Sequence, residues 1–133
     1  MSNIRRPNII IVEVNLVFRQ SLILLFTIEK IANVIGEASN GNEFLDVLAQ
    51  NKPDLVLMGI SMAEVHGIAA TKKALELLPD LKIIVFSMFG NEEYYTNLPE
   101  LGFKGRLLKS CHIDEYEKAF HKVIKGENHF STN

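Results

Sequence analysis

Three polar side chains in this sequence stand at or just behind the ends of apolar, β-branched runs. "NIIIVEV" (8–14) brings Glu13, "KIIVFSM" (82–88) brings Ser87 and "GRLLK" (105–109) brings Lys109. A fourth run, "DLVLM" (54–58), hands over to Gly59, which carries no functional group. An acid, a hydroxyl and an ammonium can together meet a charged ligand, but nothing at Gly59 can attack one. The arrangement reads as a reactive site with its central member missing, or as a strand end that never had one.

These residues meet only if the runs are parallel strands of one sheet. The sequence supports that. Short, continuously apolar segments of β-branched residues mark strands covered on both faces. Strands are expected at 8–14, 33–39, 54–58, 82–88 and 105–109. Helix-spaced apolar residues lie between them, at 16–31, 42–51, 64–78 and 91–101, and Pro99 should shorten or kink the last of these. A final helix carries Ile113, Tyr116, Ala119, Phe120, Val123 and Ile124 on one stripe, with Gly126 suited to a left-handed C-cap. Alternating strands and helices imply a three-layer αβα fold, a doubly wound five-stranded parallel sheet with right-handed crossovers. In such sheets ligands bind outside the carboxyl ends of the strands. The tail "ENHFSTN" is polar and expected to fray.

Composition sets outer limits. The chain has 133 residues, enough for one domain with a sizeable core. Its net charge is −2, which argues against nucleic-acid binding by a clustered basic face. Cys111 is the single cysteine, read as a reduced spectator in a cytoplasmic protein. Arg5 and Arg6 precede an apolar run, but Glu13 breaks it early and no small-residue cleavage site follows, so no signal peptide is expected. "LILLF" (22–26) is far too short to span a membrane. His66, His112, His121 and His129 lack metal-pair spacing and read as surface residues.

The segments "IIIVEVNLVFRQSL", "VIGEASNGNEFLDVL", "KPDLVLMGISMAEVHGIAATKKALELLPDLKIIVFSM", "NEEYY" and "KGRLLK", in that order, resemble the receiver domain of bacterial two-component response regulators, CheY-like and closest to the NarL/FixJ type. The resemblance implies a flavodoxin-like sheet of order 2-1-3-4-5, with the receiver over residues 1–128 and a linker or tail from 129 to 133. It implies a pocket in which two acids after strand one hold Mg²⁺, a carboxylate ending strand three accepts a phosphoryl group, and a hydroxyl and a lysine sense it. This chain keeps Glu13 of the acid pair and has Val14 for the other. It has Gly59 at the acceptor position, and it keeps Ser87 and Lys109. Arg106 stands where an aromatic switch residue is usual, on a face that receivers use for partners; a solvent-exposed arginine is the simpler expectation there.

The chemistry follows from the side chains. Aspartyl phosphorylation needs a carboxylate nucleophile, and Mg²⁺ needs several hard oxygens. Glu13 with the Ser61 carbonyl makes a poor metal site, so neither phosphorylation nor useful Mg²⁺ binding is expected. Lys109, deprived of its usual acids, is expected either to pair with Glu13 or to bend out to water. Ser87 reads as a vestige bonded to nearby backbone. Ile23 and Leu24 flank the core stripe of the first helix. The simpler expectation is broader burial of that helix; the sharper one is an extra apolar contact surface.

The resemblance therefore implies no enzyme but an atypical, pseudo-receiver module working through protein partners: a histidine kinase, another signalling protein or a second copy. The expected context is a LuxR/NarL-type transcription regulator, with DNA contacted only through a helix-turn-helix domain beyond this segment. A ligand-binding or enzymatic flavodoxin-like domain is the competing reading. It lacks support, because "EVNLVFRQS" offers bulky residues where a phosphate-cradling loop would be Gly- or Ser/Thr-rich.

Overall fold

The computed structural model describes residues 6–59, 66–87 and 98–130, positions 66 and 67 by their backbone alone. The elements run β1 (Asn8–Val12), α1 (Leu16–Ile28), β2 (Asn33–Ala38), α2 (Gly41–Ala49), β3 (Leu55–Gly59), α3 (His66–Leu77), β4 (Ile83–Ser87), β5 (Gly105–Leu108), α4 (Ile113–Ile124) and β6 (His129–Phe130). All strands pair in parallel, in the order β2-β1-β3-β4-β5-β6. The expected 2-1-3-4-5 order is present and β6 extends it by one strand. The helix expected at 91–101 falls mainly outside the described residues. Its end, Leu98–Leu101, forms turns that close at Gly102, which has a positive φ of 102°.

Strand alternation divides the core in two. Ile10, Val12, Val56, Met58, Ile83 and Val85 face one side and pack with Phe44 and Leu48 of α2 and Ala74 of α3. Ile9, Ile11, Leu55, Leu57, Ile84 and Phe86 face the other side, against Leu22 and Phe26 of α1 and Tyr116 and Phe120 of α4. Caps fix where the helices start. The Asn15 side chain accepts from the Phe18 N–H at 2.9 Å. Asn40 accepts from the Glu43 N–H at 2.9 Å while Glu43 accepts from the Ser39 N–H at 2.8 Å, a reciprocal box. These bonds to Ser39 hold the Glu43 carboxyl below the usual carboxylate range. Gly126 closes α4 with a φ of 95°, in the left-handed region as expected.

Three expectations need correction. Over its described residues, 127–130, the tail does not fray. The His129 N–H donates to the Lys104 carbonyl at 2.9 Å, and Phe130 packs against the core. His129 is not a surface residue: it is buried, with Nε2 2.6 Å from Glu115 Oε2. Leu24 is not absorbed by a broader core. It is 60% exposed, whereas its neighbour Ile23 does pack inward.

Candidate functional site

The carboxyl ends of β1, β3, β4 and β5 converge as parallel pairing requires. Val12 pairs with Met58, Gly59 with Phe86 and Ser87 with Leu108. The ladder continues past β1, since the Glu13 N–H donates to the Ala38 carbonyl at 2.9 Å. The Lys109 N–H donates to the Ser87 carbonyl at 2.7 Å. Glu13 and Lys109 are thus set on backbone that is already hydrogen-bonded, and their side chains are aimed across the end of β3.

They meet there. Lys109 Nζ lies 2.8 Å from Glu13 Oε1, with side-chain exposures of 13% and 2%. The second carboxylate oxygen accepts the Asn15 N–H at 2.9 Å. Arg19 Nη1 donates to the Glu13 carbonyl at 2.5 Å, and Arg19 Nε pairs with Glu37 at 2.7 Å. The Lys109 ammonium also sits 5.3 Å from the Phe18 ring centroid and 5.4 Å from that of Phe86, and these rings stack on each other at 5.9 Å. Cation–ring contacts of this kind contribute about 0.5–2 kcal/mol each as the ammonium loses water. Each member of the pair thus has further partners, the Asn15 N–H for Glu13 and two rings for Lys109, which helps a buried ion pair offset its desolvation.

Gly59 is closed as well as inert. A Cβ built on it would lie 2.5 Å from Glu13 Oε1, 2.9 Å from the Val12 carbonyl oxygen and 3.2 Å from Phe86 Cε1. The Glu13 carboxylate thus fills the space into which a side chain at 59 would grow. Val14, in the second acid position, is 63% exposed. Ser87 is buried at the end of β4. Ser61 lies outside the described residues. A divalent cation does not fit this donor set: its one carboxylate has both oxygens engaged, Val14 is apolar and Gly59 offers no side chain. No group of three or more His, Cys, Asp or Glu is assembled among the described residues.

Sequence reasoning brought together Glu13, Gly59, Ser87 and Lys109. It missed Phe18 and Phe86, which read as core residues, and it missed Arg19. The available signal for Arg19 was its place four residues after a helix-capping asparagine, one turn from the end of β1. Arg106 corrects the simpler expectation of an exposed arginine: it is half-buried, with Val85 on one side and Phe130 of β6 on the other.

Residues 9–121 match the response regulator receiver domain family. The chain belongs to that family. It is 38% identical over 124 residues to the uncharacterized transcriptional regulatory protein YhcZ of Bacillus subtilis, covering 93% of this chain and 58% of that protein. Transcriptional regulatory protein DegU of Brevibacillus brevis is 28% identical over 93% of this chain and 52% of its own length. The receiver thus spans about half the length of the curated relatives it matches. Its fold superposes with a TM-score of 0.84 on a LuxR-family two-component response regulator from Aurantimonas sp. SI85-9A1, at 22% identity over 93% of this chain and 89% of that one. A structure described as two RcsB dimers bound to two parallel DNAs gives 0.82, at 22% identity over 95% and 64%.

Proposed function

We propose that this receiver is a phosphorylation-independent module that signals by binding protein partners. The observation that carries the reading is the Gly59 position: no side chain there can attack a phosphodonor, and the Glu13 carboxylate, tied to Lys109, occupies the space. A phosphoryl group arriving at the end of β3 would find neither an acceptor nor a free ammonium. The engaged carboxylate likewise supports the absence of useful Mg²⁺ affinity and of catalysis. With no acceptor at Gly59, the domain is locked in one state or switched by something other than phosphate. Candidate partners are a histidine kinase, another signalling protein or a second copy.

The context we infer is a cytoplasmic transcription regulator of the LuxR/NarL type, in which a separate helix-turn-helix domain contacts DNA. The names of the matched relatives support this, as does the net charge of −2. Among the described residues no helix is long and apolar enough to cross a membrane. Intact mass after incubation with acetyl phosphate and Mg²⁺ tests the site directly. The expected result is an unchanged mass. A stoichiometric phosphoryl adduct removed by hydroxylamine overturns the reading.

A further inference from the structure

α2 and α3 end just before β3 and β4 begin, so their C-terminal ends lie at the opposite edge of the sheet from Gly59 and Ser87. Between those ends is a groove of about 610 Å³, lined by Leu45, Leu48 and Ala49 of α2 and by Leu77 and Leu78 at the end of α3. Leu77 and Leu78 are 67% and 44% exposed, whereas Leu48 is buried in the core. The volume falls within the range of ligand pockets. Both helices end on open carbonyls. Pro53 follows Ala49 by four residues and Pro79 follows Leu75 by four, so neither carbonyl has an N–H at the i+4 position to receive. Among the described residues the Glu76 and Leu77 carbonyls also take no backbone donor, since the Leu78 N–H goes to Ala74 and the Leu81 N–H to Leu78. Neither helix has a basic residue in its last turn. Lys52, the one cation lining the groove, has a side chain that makes no ion pair or hydrogen bond among the described residues. Two helix C-termini thus bring unneutralised partial negative charge to one apolar groove.

We propose that this groove receives a basic amphipathic helix of a partner protein, its apolar anchors against the leucines and its lysine or arginine groups at the ends of α2 and α3. A cleft between two helices is a form in which amphipathic helices are received. The carbonyls choose the charge of the occupant. A wholly apolar segment would strip their water and give no hydrogen bond in return. An acidic one would bring negative charge to the negative ends of two helices. Ammonium or guanidinium groups replace that water with charge-assisted bonds. Their aliphatic stems add to the cover over Leu77 and Leu78. The contact is small, so its dissociation constant is on the order of 100 μM, in the class of transient signalling encounters. The inference rests on the reading of this receiver as a protein-binding module and gives that partner a chemistry.

The probe is a fluorescein-labelled synthetic peptide of about 16 residues, with leucines at i, i+3, i+4 and i+7 and lysines elsewhere. Fluorescence anisotropy with the protein from about 10 μM to about 1 mM, bracketing that constant, reads binding. Amide spectra of the ¹⁵N-labelled protein read the place. The expected result is saturable binding that shifts the amides of Ala49, Leu77 and Leu78. Leu77→Ser, at an exposed position that leaves the fold intact by circular dichroism, is expected to weaken binding at least about tenfold. Glu76→Lys, which puts a cation into the last turn of α3, is expected to weaken it about two- to fivefold. Equal binding of a peptide with glutamates in place of the lysines overturns the proposal, as does indifference to Leu77→Ser. So do shifts confined to other faces, and the absence of binding across the range. Shifts of the groove amides with protein concentration alone, without peptide, assign the groove to a second copy and overturn it too. None of these outcomes bears on phosphorylation, which the mass experiment decides separately.

Discussion

Restoring an acid at the end of β3 is expected to damage the domain. Gly59 has no positive φ, so a side chain there carries no backbone strain, and replacing a glycine by alanine at such a position ordinarily stabilises by about 0.4–1 kcal/mol. Space reverses the sign. The new Cβ meets the Val12 carbonyl oxygen at 2.9 Å, and β1 cannot retreat because Val12 is buried and paired with Met58. The same Cβ meets Glu13 Oε1 at 2.5 Å, and that carboxylate is held by Lys109 and the Asn15 N–H. Overpacking of a filled interior costs about 1–3 kcal/mol. Gly59→Asp adds a second carboxylate beside the first with one ammonium between them, which raises the total to about 2–4 kcal/mol. Urea denaturation measures it. With an m-value of about 1.5 kcal/mol/M for a chain of this size, the midpoint should fall by roughly 1.3–2.7 M. Shortening the obstruction with Glu13→Asp should make the double variant at least about 1 kcal/mol more stable than the sum of the single changes, a coupling that a double-mutant cycle isolates. If Gly59→Ala and Gly59→Asp are as stable as the parent, the Glu13 carboxylate does not occupy the acceptor space and the reasoning fails.

Further outcomes follow from the same contacts. Lys109→Met leaves Glu13 buried without its cation and should cost about 3–5 kcal/mol, whereas Lys109→Met with Glu13→Leu should recover most of that loss; chemical denaturation distinguishes them. Burial pushes the Cys111 thiol up to about 11 from 9.0, so little thiolate exists at neutral pH. Alkylation of the folded protein should therefore run about 100-fold slower than in urea, rising with pH up to that value. A Cβ on Gly105 would meet the His129 carbonyl oxygen at 2.9 Å, so Gly105→Val should evict β6. Hydrogen exchange would show it as lost protection of the His129 amide, whose partner is the Lys104 carbonyl.

The sheet was legible because its information is local. Unbroken runs such as "IIIV" and "LVLM" can only be strands with two covered faces, and parallel pairing then fixes which residues share an end. Gly126 announced a helix stop by chemistry that acts within a few residues. The Glu13–Lys109 pair was legible as one of two options, because an acid and an ammonium at neighbouring strand ends in a dry pocket have few other partners. The closing of Gly59 by the Glu13 carboxylate was not legible, because it depends on a rotamer set jointly by Lys109 and the Asn15 amide. Phe18 and Phe86 gave no sign of a role beside Lys109, since an aromatic residue on a buried face looks the same whether or not a cation lies over it. For Leu24 the helical phase left two neighbouring stripes, and only packing against the sheet chose Ile23 for the inside. The two-residue β6 rests on a contact between Glu115 and His129, which a polar tail gives no cause to expect.

Amide spectra of the ¹⁵N-labelled protein titrated with beryllofluoride and Mg²⁺ test the central claim most directly, because the reagent mimics a phosphoryl group only where a carboxylate can hold it. The account predicts that the amides of Gly59, Ser87 and Lys109 stay in place at every concentration. A saturable shift of those three amides, dependent on Mg²⁺, contradicts it.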